Sequence, residues 1–326
     1  SCSLVGDGPG ELRGMRKRLR EFATTLEGRQ QLPHFTIEAL NFKIVISDVA
    51  THLATIGEAG GELDLIEIHA AGFTRTKNAA NIVAKNLMNI SIGLLAYWLV
   101  GFPIMFGDGG SANGFIGLSG WALSVTDGSA ANSFESLDWS GVSISTKWFF
   151  QAVFAATAAT IVSGAMAERT HFRGYLVYAL FLTAFIYPVI GHWIWGGGWL
   201  SQLGGTGVLD YAGGLVVHLN CGIAAIVIAK VLGPRKGFPG DVQPPHSPPF
   251  VLIGAAMLWV GWYGFNGGSA LAANANAGMA ILVTHIAAAT ASLTWMAIDW
   301  YKNGKPGLVG MVTGTIAGLA TITPAS

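Results

Sequence analysis

Charge is scarce in this chain: 11% of its 326 residues are Asp, Glu, Lys or Arg, against roughly 25% in soluble domains. That scarcity excludes an ordinary water-soluble globular protein. The 18 basic and 18 acidic residues balance to zero, so the chain lacks the basic footprint of a nucleic-acid binder and no nucleic-acid partner is expected. Cysteine is nearly absent, and Cys2 and Cys221 are too few and too far apart for a disulfide framework or a zinc site. There is no phosphate loop, no metal-ligand cluster and no nucleophile with a nearby base. No cofactor, metal or enzymatic reaction is therefore expected. Secretory-signal patterning is missing near Ser1. Alternation of apolar and polar residues is missing too, which removes a membrane β-barrel.

What is abundant is apolar sequence, 52% of the chain, together with 45 glycines. Glycine lets helices approach closely in lipid, where hydrophobic exclusion does not drive them together. Reading apolar runs against the roughly 20 residues needed to cross a bilayer predicts seven spans, at about 82–106, 148–167, 174–195, 209–232, 249–266, 277–300 and 307–323. The expected fold class is all-α, a polytopic membrane helix bundle. Basic residues fall on one side of it: Arg75, Lys77 and Lys85, then Arg169 and Arg173, Arg235 and Lys236, Lys302 and Lys305. The opposite side carries Asp108, Asp127, Glu135 and Asp138 and a single basic residue, Lys147. Positive residues are retained in the cytoplasm. The acidic side then faces outward, and the bundle is expected in a cell membrane, inner or plasma.

Two ionisable residues stand inside or beside the fourth span, in Asp210-Tyr-Ala-Gly-Gly-Leu-Val-Val-His218. Such groups cost several kcal/mol in lipid and point to a pathway. Asp210 has a structural reading as the N-cap of its helix, and a functional one as an attraction for a cation. Replacement by Asn is expected to separate the two, keeping the cap and removing the charge. His218 lies eight residues further on, about 12 Å deeper if the segment is helical. It is either a bonded structural histidine or a pathway residue whose neutral ring offers one donor and one acceptor. Asn78, Asn81, Asn86 and Asn89 form a helical stripe suited to interhelical hydrogen bonding. His192, near the end of the third span, is placed to bond across helices.

Several short motifs occur together: Ala-Glu-Arg at 167–169, Trp-Gly-Gly-Gly at 195–198, the Asp210 to His218 segment, and Gly-Trp-Tyr-Gly-Phe-Asn-Gly-Gly-Ser at 261–269. With Gly-Phe-Thr-Arg-Thr-Lys-Asn at 72–78 and Thr-Pro-Ala at 323–325, this set resembles the ammonium transporter (Amt/Mep/Rh) family, over residues 72 to the end. The resemblance implies transport of ammonium or ammonia through a hydrophobic pore in a homotrimer, with a PII-type signal protein as partner. It implies that Trp195 and Ser269 form an outer recruitment site supported by Asp210. Phe154 and Phe265 would be a stacked gate, and His218 the first of two pore histidines. Without the resemblance, Trp195 reads as an interfacial belt residue and the two phenylalanines as core or lipid-facing packing. An ammonium sensor using the same site, or a transporter fragment without function, are the alternative readings.

Two departures accompany the resemblance. The family carries a further span before Gly72, but residues 44–71 are interrupted by Asp48, His52, Glu58, Glu62, Asp64, Glu67 and His69. It also carries three more spans beyond Thr-Pro-Ala, one with the second histidine, and His285 belongs to an earlier helix. The chain is therefore expected to be incomplete at both ends. Residues 1–71 form a separate segment in which Arg13, Arg16, Lys17, Arg18 and Arg20 accompany Leu12, Met15, Leu19, Phe22 and Leu26. That spacing predicts a basic amphipathic helix of unknown role, able to lie on anionic lipid or to pair as a short coil, with a solvated extension as the alternative.

Overall fold

Each of the seven apolar runs is a helix in the computed structural model, which describes residues 69–124, 134–241 and 243–326. The basic amphipathic stretch, the interruptions from Asp48 to Glu67, and Asp127 lie outside the described residues. The spans are α1 (Thr76–Phe106), α2 (Ile144–Met166), α3 (172–194), α4 (Gly214–Leu232), α5 (Pro248–Gly268), α6 (Ala275–Asn303) and α7 (Leu308–Ile322). Among the described residues there is no strand. A multi-pass membrane protein follows, because each helix satisfies its own backbone while presenting apolar side chains outward.

Helix α2 is the hub, packed by α1, α3 and α4. Its Ala-Ala-Thr-Ala-Ala-Thr centre is almost wholly buried, and small side chains allow that approach. On the other flank Gly310, Gly314 and Gly318 put one bare face of α7 on α6, where an added Cβ would meet the Asp299 carboxylate, the Ala291 carbonyl at 2.7 Å and the Ala287 carbonyl at 2.5 Å, respectively. The asparagine stripe acts only in part as expected. Asn89 Nδ2 donates to the Ala156 carbonyl at 2.9 Å and to Thr160 Oγ1 at 2.7 Å, tying α1 to α2. Asn81 instead faces outward, exposed.

Helices α1 and α3 each contain a π-helical turn, at Tyr97–Gly101 and Leu182–Ile186. A proline follows two residues after each, Pro103 and Pro188. Proline cannot donate a backbone hydrogen bond and its ring crowds the carbonyl four residues earlier. Widening the preceding turn relieves that clash. The two π turns pack against each other.

The Ala-Glu-Arg motif closes the basic side. Glu168, at a left-handed φ of 67°, accepts from the Arg75 backbone N–H at 2.8 Å and from Asn78 Nδ2 at 3.0 Å, and pairs with the Arg75 guanidinium at 3.0 Å. Arg169 donates to the Ala165 carbonyl at 2.8 Å and to the Gly233 carbonyl. Arg235 donates to the Gly164 carbonyl at 2.6 Å and the Ala167 carbonyl at 3.3 Å. Two guanidiniums thus satisfy the free carbonyls at the end of α2, where the helix dipole favours cations.

Burial pushes the Glu168 carboxyl up, but its bonds from Arg75 and Asn78 outweigh this and hold it below the usual glutamate range. The stabilisation is therefore present above that range and lost as pH falls through the lowered folded value. Glu168→Gln is expected to melt lower than wild type at neutral pH, with the gap closing on acidification. Melting midpoints in detergent across pH measure this, and a gap independent of pH would remove the ion pair's role.

Candidate functional site

The site grows from the turn that precedes α4. Asp210 Oδ1 accepts from the backbone N–H groups of Gly213 and Gly214 at 3.0 and 2.8 Å. Its Oδ2 accepts from Leu215 and Val216 at 2.8 and 2.9 Å. All four orphan donors of a helix N-terminus are met by one carboxylate. Burial pushes this carboxyl above its usual range, while the four N–H groups pull it back toward the ionised form they require. The segment from Asp210 to Gly213 is not helical, because the chain must wrap its own side chain. The helix expected to include Asp210 therefore begins at Gly214, and His218 is its fifth residue, within a π turn over Gly214–Leu219.

Trp195 sits at the end of α3 and donates its indole N–H to the Asp210 carbonyl at 2.7 Å. The three glycines that follow are imposed by space and backbone angle. A Cβ on Gly196 would lie 1.9 Å from the Met105 carbonyl, and Gly197 has a φ of 86°. Next inward, the ring of Phe154 meets Trp195 edge-on, with centroids 6.1 Å apart and planes at 81°. Phe154 and Phe265 are 4.4 Å apart. Their planes are tilted by 37° rather than parallel, so the expected stack is an inclined pair. Both are buried. Ser269 lies one turn beyond Phe265 and donates its hydroxyl to the Phe265 carbonyl at 2.8 Å, which leaves the oxygen lone pairs to accept from a ligand.

Inward of the phenylalanines, His218 lies 5.6 Å from Phe265 and stacks on Trp262, with centroids 5.2 Å apart and planes at 16°. His218 Nε2 is buried without a hydrogen-bond partner among the described residues. His218 also lines a cavity of about 1070 Å³, whose walls include Trp262, Phe265 and Leu258 and, at the basic side, Arg75 and Glu168. His285 is elsewhere engaged, its Nδ1 bonded to the Tyr263 hydroxyl at 2.6 Å.

Trp262 lies in the 261–269 motif without a role assigned from sequence, although it precedes Phe265 by three residues and so shares its helix face. Its indole N–H donates to Thr323 Oγ1 at 3.0 Å. The same Thr-Pro-Ala segment holds the α4 turn, since the Thr323 carbonyl accepts from Ala212 at 3.2 Å and the Pro324 carbonyl from Tyr211 at 3.1 Å. That landmark is a brace joining the Asp210 turn to the ring stacked on His218.

Comparison with known proteins is consistent along the membrane domain. The model of the Ammonium Transporter Family matches residues 66–326. Ammonium transporter Amt2 of Archaeoglobus fulgidus is 45% identical over 267 residues, which cover 78% of this chain and 54% of the relative. Amt1 of the same organism is 43% identical, with coverages of 78% and 61%. This chain thus spans between half and two thirds of the length of these relatives. Among solved structures, a Sensor Amt Protein superimposes with a TM-score of 0.76 at 34% identity, covering 87% of this chain and 69% of that one. Mep2 of Saccharomyces cerevisiae gives 0.74 at 33% identity, with coverages of 85% and 61%. The chain belongs to the ammonium transporter family.

Proposed function

We propose that this protein conducts ammonium nitrogen across a cell membrane along the row Trp195, Phe154, Phe265 and His218. The observation that carries this reading is the unbroken succession of those rings, leading from a half-buried indole to a cavity that reaches the basic side. Ammonium and potassium carry one charge and have similar size, so selection needs chemistry that only ammonium has: hydrogens to donate, one of which it can lose. The face of Trp195 offers a cation–π contact, and Ser269 an acceptor for N–H. The inclined phenylalanines strip water from the ion. Ammonium that loses a proton crosses the apolar stretch as ammonia, and the buried His218 ring offers one acceptor for that proton.

The basic side is read as cytoplasmic by the positive-inside tendency, which puts Trp195 at the outer mouth. A homotrimer in the membrane and a PII-type signal protein as cytoplasmic partner belong to the same reading. A second reading, an ammonium sensor, is favoured by the likeness to the Sensor Amt Protein.

Reconstitution into liposomes tests both. An ammonium-evoked current that potassium does not produce is expected, and Trp195→Leu should raise the ammonium concentration for half-maximal current. Loss of a cation–π contact of about 0.5–2 kcal/mol corresponds to roughly 2- to 30-fold. Bound ammonium without current in folded, inserted protein would transfer the site to sensing. Loss of both would mean that this chain forms no working pore.

A further inference from the structure

We infer that His192 is a positioning residue for Trp195, a ring that fixes the indole by pinning the end of α3 to the end of α1 and to the loop that follows it. This rests on the reading of Trp195 as the recruiting residue. His192 is completely buried. Its Nδ1 lies 2.9 Å from the Met105 carbonyl in the last turn of α1, and its Nε2 lies 2.7 Å from the Asn113 carbonyl in the loop. Both partners are acceptors, so the ring donates to one of them in either neutral tautomer and to both only as the imidazolium.

The neighbouring contacts show what the pin holds. Carbonyls of three successive residues face the end of α3: Asn113 meets His192, Gly114 accepts from the Trp199 backbone N–H at 2.9 Å, and Phe115 accepts from the Trp193 indole at 3.0 Å. From the other side, the His192 carbonyl accepts from Gly196 at 3.0 Å and Gly198 at 2.9 Å. The histidine thus bonds through its ring to the loop at Asn113 and through its backbone to the Gly-Gly-Gly turn, and Trp195 stands between these attachments. The indole N–H of Trp195 is already committed to Asp210. Its ring angle is therefore set from two directions, by the α4 turn and by His192. Among the described residues no ring pairing or side-chain hydrogen bond joins His192 to Phe154, Phe265 or His218, so its effect is expected to pass through Trp195.

The test labels the full chain with 5-fluorotryptophan and identifies the Trp195 fluorine resonance by its absence in Trp195→Leu. In His192→Phe, which keeps ring volume and removes both ring nitrogens, the Trp195 resonance is expected to shift or broaden, while those of Trp295 and Trp300 on α6 stay in place. His192→Gln, which restores an N–H donor, should return it part of the way. This readout needs no ammonium, so it stands even if the transport reading fails; the wild-type liposome current judges that reading separately. In liposomes His192→Phe should raise the half-maximal ammonium concentration about fivefold, the equivalent of about 1 kcal/mol, with maximal current within about twofold. It should add little to Trp195→Leu, since residues acting through one another are not additive. An unmoved Trp195 resonance, an independent additive effect, or failure of both His192 variants to fold would overturn the proposal.

Discussion

Asp210→Ala is expected to yield no stably folded protein. Four backbone donors at the start of α4 converge on that one buried carboxylate. Leaving a buried donor unpaired costs about 1–3 kcal/mol, so four of them amount to roughly 4–12 kcal/mol before relaxation. That range is comparable to the whole stability of a typical domain, about 5–15 kcal/mol. Asp210→Asn is expected to fall between wild type and Ala, because an amide has one oxygen and its NH₂ would face two of the N–H donors. The sequence suggests Asn as a neutral cap; the geometry makes it half a cap. Melting midpoints in detergent for the three proteins measure this. An Asn variant as stable as wild type would show that four bonds to a carboxylate are not what holds the turn.

Phe265→Ala is expected to have the second largest effect, on both stability and selectivity. Its ring touches Phe154 at 4.4 Å, Trp262 at 5.4 Å and His218 at 5.6 Å. Removing a buried phenylalanine costs about 3–5 kcal/mol when neighbours cannot close the gap. The gap here joins the Trp195 side to the cavity below His218, and water entering it would carry ions without requiring them to shed their shells. Ammonium over potassium selectivity should fall by about tenfold or more, equivalent to about 1.4 kcal/mol. Phe265→Leu, which retains much of the volume, should lose less of both. Conductance ratios in liposomes decide it: unchanged selectivity in a folded Phe265→Ala protein would mean that selection occurs elsewhere.

The spans were legible because lipid demands long apolar runs and this chain has seven of them. Their ends were less so, for local reasons. Helix α1 starts at Thr76 rather than near 82, since Asn78 is polar for the sake of Glu168 and still helical. The fourth run includes Leu209 to Gly213, but these residues wrap the Asp210 side chain before α4 begins. The rings at 154, 195 and 265 carry nothing individually that separates them from belt or core residues, so only their motif context singled them out. Trp262 and Thr323 stand inside two of the motifs, but their roles are not legible there, because they lie in a contact between α5 and the end of α7 that no local pattern encodes. His192 was recognised as a cross-helix bonder, but its two carbonyl partners come from residues 87 and 79 positions away.

The π turn in α3 also sets direction. Each such turn accommodates one residue more than an α-helix would, and one residue corresponds to about 100° of rotation. A helical wheel drawn from Phe172 with uniform pitch therefore points Trp195 about a quarter of a circle away from the α4 turn that it touches. Pro188, seven residues before Trp195, is in this sense the residue that dials the azimuth of the indole. Shortening α3 by one position within Leu182–Ile186 would leave a straighter rod aimed at the wrong neighbour.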